Sequence, residues 1–370
     1  MTKMNSALVR FEQEFAAWLG ARGAVATGFG RSALYLALEA LDVRGGDVVV
    51  PNFICAQVPE AVRRAGARPI FYPVQRDLSI RAADFLGALT GETRAALVAH
   101  YFGRVLPEVA DLVAPCRERS VPLIEDCALA FGAGDGAYRA GTYGDLAIFS
   151  FTKSDWCYGG GIVVATTTDL LERLRALRSE KLRPARRLAL AYGSLRRADF
   201  AANRPHWCRI AEFGGRIFQR VSGLGDANFY DAGRFDALMP EFAARRATRL
   251  LKNLERDTRL RNTRIQALIE KLGGASGILA RAVLRAGDSG AFLLLHCPDD
   301  RAAEWIACAD RAGVTLRRCW PAYQAIDPQQ GSDELAWLAD HLLLLEVHPR
   351  WAITEVDHIA QTLRRLAQEN

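Results

Sequence analysis

Three short segments of the sequence carry side chains that could share one site, and the first of them holds Lys153. The segment DLAIFSFTKSDWCYGGGIVVA places this lysine between two strongly apolar runs, beside a turn of three glycines. Burial disfavours an ammonium group and lowers its pKa towards the neutral amine that attacks carbonyl carbons. The alternative is an ordinary loop lysine whose ammonium group reaches water. Only five of the 48 basic residues (Lys+Arg) are lysines, so a lysine in an apolar segment stands out.

The second segment, VPLIEDCALAFGA, ends a predicted buried strand in two carboxylates. An aspartate aimed at a pyridine nitrogen keeps that nitrogen protonated, and the ring can then accept electrons from a substrate carbanion. Asp126 suits this role. A carboxylate that caps the following helix is the alternative. Because Asp126 precedes Lys153 within the same run of predicted strands, we favour the first interpretation.

The third segment, TGFGRSALYLAL, is a glycine-rich turn that leads into a helix. Free N–H groups and the helix dipole at such a start bind phosphate, and Ser32 and Arg31 could add side-chain donors. Taken alone, glycine before a helix is also typical of an ordinary turn. The segment lacks the GK[ST] ending of a P-loop and the GxGxxG fingerprint of dinucleotide-binding proteins.

These segments belong to a run of alternating strands and helices from residue 24 to about 166. Strands separated by helices imply right-handed crossovers and a mostly parallel sheet covered on both faces. The sequence therefore predicts an α/β domain. Ligands bind outside the carboxyl ends of such strands, which is where Asn52, His100, Asp126 and the segment SFTK fall.

The pattern changes after residue 166, which suggests a second lobe. Helices dominate from 168 to about 220, and an arginine-rich stretch from Pro240 then predicts one or two long amphipathic helices. The final third alternates strands and helices in a compact α+β pattern. We expect a large domain over 1–235 and a small C-terminal domain over 236–370.

Composition narrows the class of protein. The net charge of +6 comes without a basic tail or zinc-finger spacing, so nucleic-acid binding is not indicated. No apolar run approaches the ~20 residues of a membrane span. The first residues lack the apolar core of a signal peptide, and the eight cysteines show no CxxC pair, so we expect a cytoplasmic protein with reduced thiols and no metal site.

Together the segments resemble the sugar aminotransferases of the DegT/DnrJ/EryC1/StrS family, within the fold-type I enzymes that use pyridoxal 5'-phosphate (PLP). The resemblance runs from about residue 28 to 166, through GRSALYLALEAL, GGDVVVPNFICA, VAHYFG, IEDCALAFGA and GTYGDLAIFSF to Lys153 and its glycines. It returns near the end in LLLLEVHPRWAITEVDHI. It implies a large domain with a mostly parallel sheet flanked by helices, a smaller C-terminal α+β domain and PLP as cofactor.

Carried over by position, the resemblance implies a role for several residues. Lys153 would be the Schiff-base lysine, and Asp126 would pair with the pyridine nitrogen. Arg31 and Ser32 stand where backbone amides hold the phosphate, and Ser150 stands where a serine hydroxyl joins them.

Further positions match the family less closely. Asn228, in GDANFYDAG, corresponds to an asparagine that reaches the phosphate of the neighbouring subunit. The sequence has Leu129 where the family has a glutamine near the cofactor's phenolic oxygen, and Cys55 where an aromatic residue stacks on the ring. The spacing from Ser150 to the lysine is two residues shorter than in the family. These departures leave the lysine chemistry in place but put the phosphate geometry and the substrate in doubt.

The stretch from Arg183 to Arg220 looks longer than its counterpart in the family. It carries nine arginines against Asp199 and Glu212, with aromatic residues between them. Such a segment could bind an anionic substrate, a carrier protein's phosphopantetheine or an acidic membrane surface. A solvated or dimer-packing helical segment is the alternative that we favour.

The function that the resemblance implies is transfer of an amino group from an amino-acid donor to a keto-sugar, nucleotide-linked in many members, or to a similar polar ketone. A homodimer is also implied, because fold-type I sites are built across a dimer interface. Two alternatives remain open. One is a PLP enzyme of another reaction type, such as a dehydratase, decarboxylase or carbon–carbon bond-forming enzyme. The other is a non-catalytic protein that keeps the fold for binding.

Overall fold

The computed structural model describes residues 6–135, 138–153, 159–184, 234–273, 287–297, 301–320 and 333–368. Its helices, in chain order, are α1 (Ser6–Leu19), α2 (Gly30–Ala40), α3 (Gln57–Arg64), α4 (Ala82–Ala88), α5 (Val109–Glu118), α6 (Thr168–Lys181), α7 (Glu241–Leu272), α8 (Ala302–Arg311), α9 (Asp333–His341) and α10 (Ile353–Gln368). Its strands are β1 (Gly23–Thr27), β2 (Asp47–Pro51), β3 (Arg68–Tyr72), β4 (Thr93–Ala99), β5 (Leu123–Asp126), β6 (Gly134–Asp135), β7 (Tyr138–Arg139), β8 (Leu146–Ser150), β9 (Gly161–Ala165), β10 (Arg183–Pro184), β11 (Ala237–Leu238), β12 (Phe292–His296), β13 (Leu316–Arg318) and β14 (Leu342–Glu346).

The largest sheet has seven strands in the order β1, β9, β8, β5, β4, β2, β3. The pairs β2/β3, β2/β4, β4/β5 and β5/β8 are parallel, whereas β9 runs antiparallel to both of its neighbours. The predicted mostly parallel α/β sheet is therefore confirmed. Parallel neighbours bring the ends of β5 and β8 to the same edge, because their carboxyl ends point the same way.

Both faces of this sheet are covered, as the continuous apolar strands predict. In β1, Val25 belongs to a hydrophobic cluster with helices α2, α3 and α5, whereas Ala24 and Ala26 belong to a second cluster with α1 and the first half of α7. Successive side chains of a strand point to opposite faces, which explains the division. The strands that end at the site are thus fixed from both sides.

A second sheet lies in the C-terminal part and has the order β12, β14, β13, all antiparallel. One of its faces packs with α8, α10 and the second half of α7. Leu294 and Leu342 from this sheet instead join the cluster of the seven-stranded sheet. The sheet therefore packs on both sides, and the division into two domains near residue 235 stays a prediction.

The predicted elements of the first 166 residues are present as strands and helices with small shifts of their ends. The arginine-rich stretch after Pro240 forms one continuous helix, α7, of 32 residues. The short hairpin β6–β7 and the helix α9 were not predicted. The basic segment 183–220 lies outside the described residues except for its first two positions, so its predicted role is not tested.

Strand β10 lies at the start of the basic segment, and strand β11 lies shortly after residue 234, where the described chain resumes. β10 and β11 pair in parallel, with Arg183 opposite Ala237. The Arg183 N–H donates to the Asp236 carbonyl (2.6 Å), and the Gly28 N–H donates to the Ala237 carbonyl (2.7 Å). This two-stranded pair is therefore attached directly to the turn before α2.

A membrane-spanning helix must be both long and predominantly apolar. Among the helices of the described residues, none combines the length and the apolar composition of a membrane-spanning segment. α7 is the longest, and charged residues recur along it.

Candidate active site

The turn between β1 and α2 forms a seat suited to an anion, and we call residues 28–32 the α2 seat. α2 begins at Gly30 after an extended Phe29 whose side chain offers no cap to the first turn. The first N–H groups of a helix lack partners within the helix, and the dipole makes this end positive. The Ser32 hydroxyl is buried and has no hydrogen-bond partner among the described residues. A phosphate group would satisfy such donors.

Glycines allow the strand ends to approach the α2 seat closely. A methyl group added at Gly161 would lie 2.3 Å from the Phe29 carbonyl oxygen and 2.6 Å from the Gly30 nitrogen. One added at Gly30 would lie 2.8 Å from Ser150 Cβ and 3.2 Å from its Oγ. The start of β9, the end of β8 and the start of α2 therefore meet in a space that admits no further side chain.

Lys153 lies in a 3₁₀ turn, Phe151–Lys153, that follows β8 directly. Phe151 is fully buried, and its N–H donates to the Gly160 carbonyl (2.9 Å). Lys153 itself is partly exposed and lines a cavity of about 550 Å³. The anchored phenylalanine thus holds the lysine at the wall of this cavity.

Asp126 is the last residue of β5, the strand beside β8. Burial raises the pKa of its carboxyl group to about 6, although the Ala128 N–H donates to Oδ1 (2.9 Å) and the charge of Lys153 favours the ionised form. Lys153 follows β8, which pairs in parallel with β5, so Asp126 and Lys153 lie at the same edge of the sheet. The structure therefore brings together the carboxylate and the amine that the sequence singled out.

Glu125, the carboxylate next to Asp126, has a different surrounding. Its oxygens accept hydrogen bonds from the backbone N–H groups of Gly141 (2.9 Å), Tyr143 (2.7 Å) and Gly144 (2.6 Å). His100 Nε2 lies 2.7 Å from Oε2, and His100 Nδ1 accepts the Leu106 N–H (2.9 Å), so Nε2 carries the proton that is donated to Glu125. His100, Glu125, Gly141 and Gly144 are buried, and Tyr143 is partly buried.

This network joins the loops 100–106 and 141–144 to β5 and fixes the backbone from which Asp126 projects. Cys127 lies close enough to complete a metal-like set with His100 and Glu125. The carboxylate oxygens and ring nitrogens of that set are already engaged in hydrogen bonds, so we assign no ion to it. The sequence could have predicted different surroundings for Glu125 and Asp126, because neighbouring residues of a strand point to opposite faces of the sheet.

Cys55 and Leu129 also belong to the site. Burial raises the pKa of the Cys55 thiol, the charges of Lys153 and Arg31 lower it, and the charge of Asp126 raises it. Leu129 is partly buried and lines the same cavity as Lys153. Both positions fit the predicted surroundings of a cofactor ring, one as a neutral thiol and the other as an apolar contact.

The remaining predicted site residues are placed as follows. Ser150 ends β8 against Gly30. Arg31 is at the α2 seat, but its Nε donates to the Arg234 carbonyl (2.9 Å) and its guanidinium lies 4.3 Å from the centre of the Phe29 ring. Its side chain therefore ties the seat to the backbone beside β11. Asn228 lies outside the described residues.

Residues far along the sequence form the opposite wall of the cavity, and sequence reasoning missed them. Trp320 packs edge-on against Phe53 (4.8 Å between ring centres) and lies 5.7 Å from the ring of Phe102. Phe102 has φ +50°, a left-handed conformation that costs energy in a bulky residue and that often marks a functional site. Arg317 and Arg318 of β13 line the same cavity.

The residues present fit PLP. The buried Ser32 hydroxyl without a partner and the crowded approach of Gly30 to Ser150 provide a compact polar seat for a phosphate, and Asp126 and Lys153 lie at adjacent strand ends beyond it. Fold and site together define a fold-type I, PLP-binding class of α/β protein. The comparisons with known proteins agree. The chain belongs to the DegT/DnrJ/EryC1/StrS aminotransferase family, whose model matches residues 1–194.

Individual curated relatives match about half of this chain. The GDP-perosamine synthase of Vibrio cholerae is 31% identical over 46% of this chain and 47% of its own. The UDP-N-acetyl-3-dehydro-alpha-D-glucosamine 3-aminotransferase of Acidithiobacillus ferrooxidans is 36% identical over 45% of this chain and 47% of its own. The chain thus spans about half the length of the curated relatives it matches.

A solved structure matches almost the full chain. The aminotransferase TlmJ from Streptoalloteichus hindustanus has a TM-score of 0.76 and 22% identity, and the match covers 98% of this chain and 91% of that one. At this identity the match shows the fold. Aminotransferases of the family depend on PLP, so the cofactor prediction is confirmed at the level of the family.

Proposed function

We propose that the protein is a PLP-dependent aminotransferase that moves an amino group from an amino-acid donor to a keto-sugar. The observation that carries the proposal is the placement of Lys153 and Asp126 at the ends of the neighbouring parallel strands β8 and β5, beside the α2 seat. Family membership supports the same reaction.

Each residue of the site has a proposed task. Lys153 Nζ would hold the cofactor at its carbonyl carbon, with loss of water, and would carry the proton that leaves the substrate's Cα. Asp126 accepts the hydrogen bond of the pyridine nitrogen and keeps the proton on that nitrogen. Ser32, Ser150 and the first N–H groups of α2 hold the phosphate. PLP, when bound, supplies an electron-accepting ring for the charge left at the substrate's Cα.

The cavity supports a polar, anionic acceptor, and we propose a nucleotide-linked keto-sugar. Arg317 places positive charge on the cavity wall, Arg318 forms an ion pair with Asp340, and Trp320 and Phe102 add aromatic surface. Guanidinium groups bind diphosphate oxygens in pairs of hydrogen bonds, and aromatic rings pack against sugar or base. The names of relatives that act on GDP-, UDP- and dTDP-linked sugars support this substrate class.

A half-reaction experiment tests the proposal. Purified protein loaded with PLP should show a visible absorption band, and glutamate or glutamine should bleach it as the amino group moves to the cofactor. Keto-sugar should then restore the band. Borohydride reduction followed by peptide mass spectrometry should place the cofactor on Lys153, and the Lys153→Ala variant should lack the label. A loaded protein that no amino donor bleaches would exclude transamination and favour another PLP reaction.

The assembly, location and domain division are proposals that rest on the family. We propose a homodimer in the cytoplasm, with a large domain over 1–235 and a small one over 236–370. Light scattering of the eluted protein measures the assembly, and a monomer at micromolar concentration would contradict it. Fractionation of the native host addresses the location, and limited proteolysis near residue 235 addresses the domain boundary.

A further inference from the structure

The turn that carries Lys153 brings a further hydroxyl group to the α2 seat. Thr152 Oγ1 lies 2.9 Å from Ser150 Oγ, a distance at which either hydroxyl can donate to the other. Ser150 is almost fully buried, whereas Thr152 is partly exposed and lines the cavity beside Lys153. The pair therefore forms a polar connection from the buried end of β8 to the cavity.

The surroundings of the pair are those of an anion site. Gly30 approaches Ser150 so closely that a methyl group there would contact its Oγ at 3.2 Å. α2 has 11 residues and points its positive end at this place. The Ser32 hydroxyl, in the same first turn, is buried without a hydrogen-bond partner among the described residues.

The short turn explains why the two hydroxyls meet. Only Phe151 separates Ser150 from Thr152, and this phenylalanine is held by its buried ring and by the bond from its N–H to the Gly160 carbonyl. The backbone on both sides of Phe151 is therefore fixed, and the threonine is directed back towards the serine.

The Ser150 and Thr152 hydroxyl groups have one proton left to donate to a ligand when they bond to each other. Two hydroxyls that bond to each other use one of their two protons, and the other proton remains to be donated. A phosphate group offers only acceptors and can orient both hydroxyls towards itself. We propose that Thr152 is a phosphate-binding residue, donating from Oγ1 to the phosphate group of PLP beside Ser150. The inference rests on the proposed use of PLP and adds Thr152 to the site.

The alternative is a structural role, in which the hydroxyl pair stabilises the turn and orients Lys153. The two roles differ in what they do to a cofactor without phosphate. A structural role affects PLP and pyridoxal alike, since both carry the carbonyl group that Lys153 attaches. A phosphate-binding role affects PLP alone.

The experiment compares the dissociation constants of PLP and pyridoxal for the full chain, followed by absorbance. Thr152→Val keeps the shape and removes the hydroxyl. We expect it to raise the dissociation constant of PLP by about tenfold or more, which is the value of one charge-assisted hydrogen bond. The dissociation constant of pyridoxal should stay within about twofold of the wild-type value. Thr152→Ser should bind PLP like the wild type. Thr166→Val is the matched control, because its hydroxyl bonds the Asp145 carbonyl at an exposed position after β9.

Equal weakening of PLP and pyridoxal, or no weakening of either, would overturn the proposal. If the valine variant fails to fold, as judged by circular dichroism, Thr152→Ala takes its place in the same comparison. A wild-type protein that binds neither PLP nor pyridoxal would contradict the proposed function instead. In that case inorganic phosphate is the probe. The wild type should gain thermal stability with rising phosphate and the Thr152 variant should gain less, whereas equal gains would contradict the role of Thr152.

Discussion

The carboxyl group of Asp126 is neutralised more easily in the folded protein than in the unfolded chain. Burial raises its pKa to about 6, against 3.8 for an exposed aspartate. The folded state therefore binds more protons than the unfolded state between these values, and the contribution of this group to stability is lost as the pH rises through about 6. At neutral pH the cofactor-free protein holds a buried carboxylate at an energetic cost.

Replacing Asp126 with asparagine should remove that cost. The carboxamide oxygen can still accept the Ala128 N–H, so we expect Asp126→Asn to raise the unfolding free energy of the cofactor-free protein at pH 8 by up to about 3 kcal/mol. At pH 4 the two proteins should differ little. Urea unfolding at both pH values measures the effect. The variant should also bind PLP more weakly at pH 8, and tighter binding would argue against its role at the pyridine nitrogen.

Gly161 shows how a missing side chain can be required. A methyl group here would be 2.3 Å from the Phe29 carbonyl oxygen, and backbone cannot yield as a flexible side chain does. We expect Gly161→Ala to lower the unfolding free energy by about 2 kcal/mol or more and to abolish PLP binding at micromolar concentrations, because β9 must move from the α2 seat. Gly87→Ala in α4 is the control. It has open space around it and should be neutral or stabilising.

At the scale of elements, α1 supports the turn of Lys153 although it contributes nothing to the site itself. Phe15 is fully buried and contacts the rings of Phe149 (5.0 Å), Phe151 (5.8 Å) and Phe131 (6.1 Å). The aromatic cluster between α1 and β8 thus fills the space beneath the 3₁₀ turn. A cavity there would release the backbone that carries Thr152 and Lys153.

Removing the Phe15 ring tests this support. Phe15→Ala should lower the unfolding free energy by about 3–5 kcal/mol, as for other large buried rings. It should also weaken the binding of PLP and of pyridoxal by the same factor, because the whole turn becomes less ordered. Chemical denaturation and absorbance titration measure the two effects. Tyr138→Ala removes a ring that is 69% exposed and should change neither. Stability loss with unchanged cofactor affinity would show that the turn does not depend on α1.

Elements were predictable from the sequence where their apolar pattern was long. β2 and β8 are runs of apolar residues ending in a polar or turn residue, and both were found where the pattern placed them. β6 and β7 have two residues each, too few to show a period. α9 was missed because DELAWLADH is short and precedes a stronger strand signal. Glu125 shows a further limit, since its partners are backbone groups brought together by folding.

At the scale of the whole molecule, the cavity lies between the two sheets. Lys153 follows the seven-stranded sheet, and Arg317 belongs to β13 of the three-stranded sheet, more than 150 residues later. Lys153 and Arg317 come to line one cavity only through tertiary packing. The sequence therefore predicted the lysine, the aspartate and the phosphate seat, but it did not predict the cavity wall formed by β13. The wall proposed to bind the substrate is therefore the part of the site that the sequence predicted least.

Arg317 gives a direct test of the proposed acceptor. Its guanidinium is exposed at the cavity wall. Arg317→Ala should raise the KM for a nucleotide-linked keto-sugar by about tenfold, leave kcat within about twofold and leave the half-reaction with the amino donor unchanged. Arg259→Ala, on an exposed face of α7, is the control. A slower donor half-reaction would instead assign Arg317 to the donor's carboxylate.

The parallel pair β10–β11 has a consequence for how this protein can change over generations. Its two strands are joined to each other and to Gly28, so the chain leaves and resumes at one fixed point beside the α2 seat. Sequence can be gained, lost or exchanged between those strands while the frame of the catalytic centre keeps its dimensions. Evolution could therefore insert a new substrate-binding segment between β10 and β11 while the catalytic residues keep their positions.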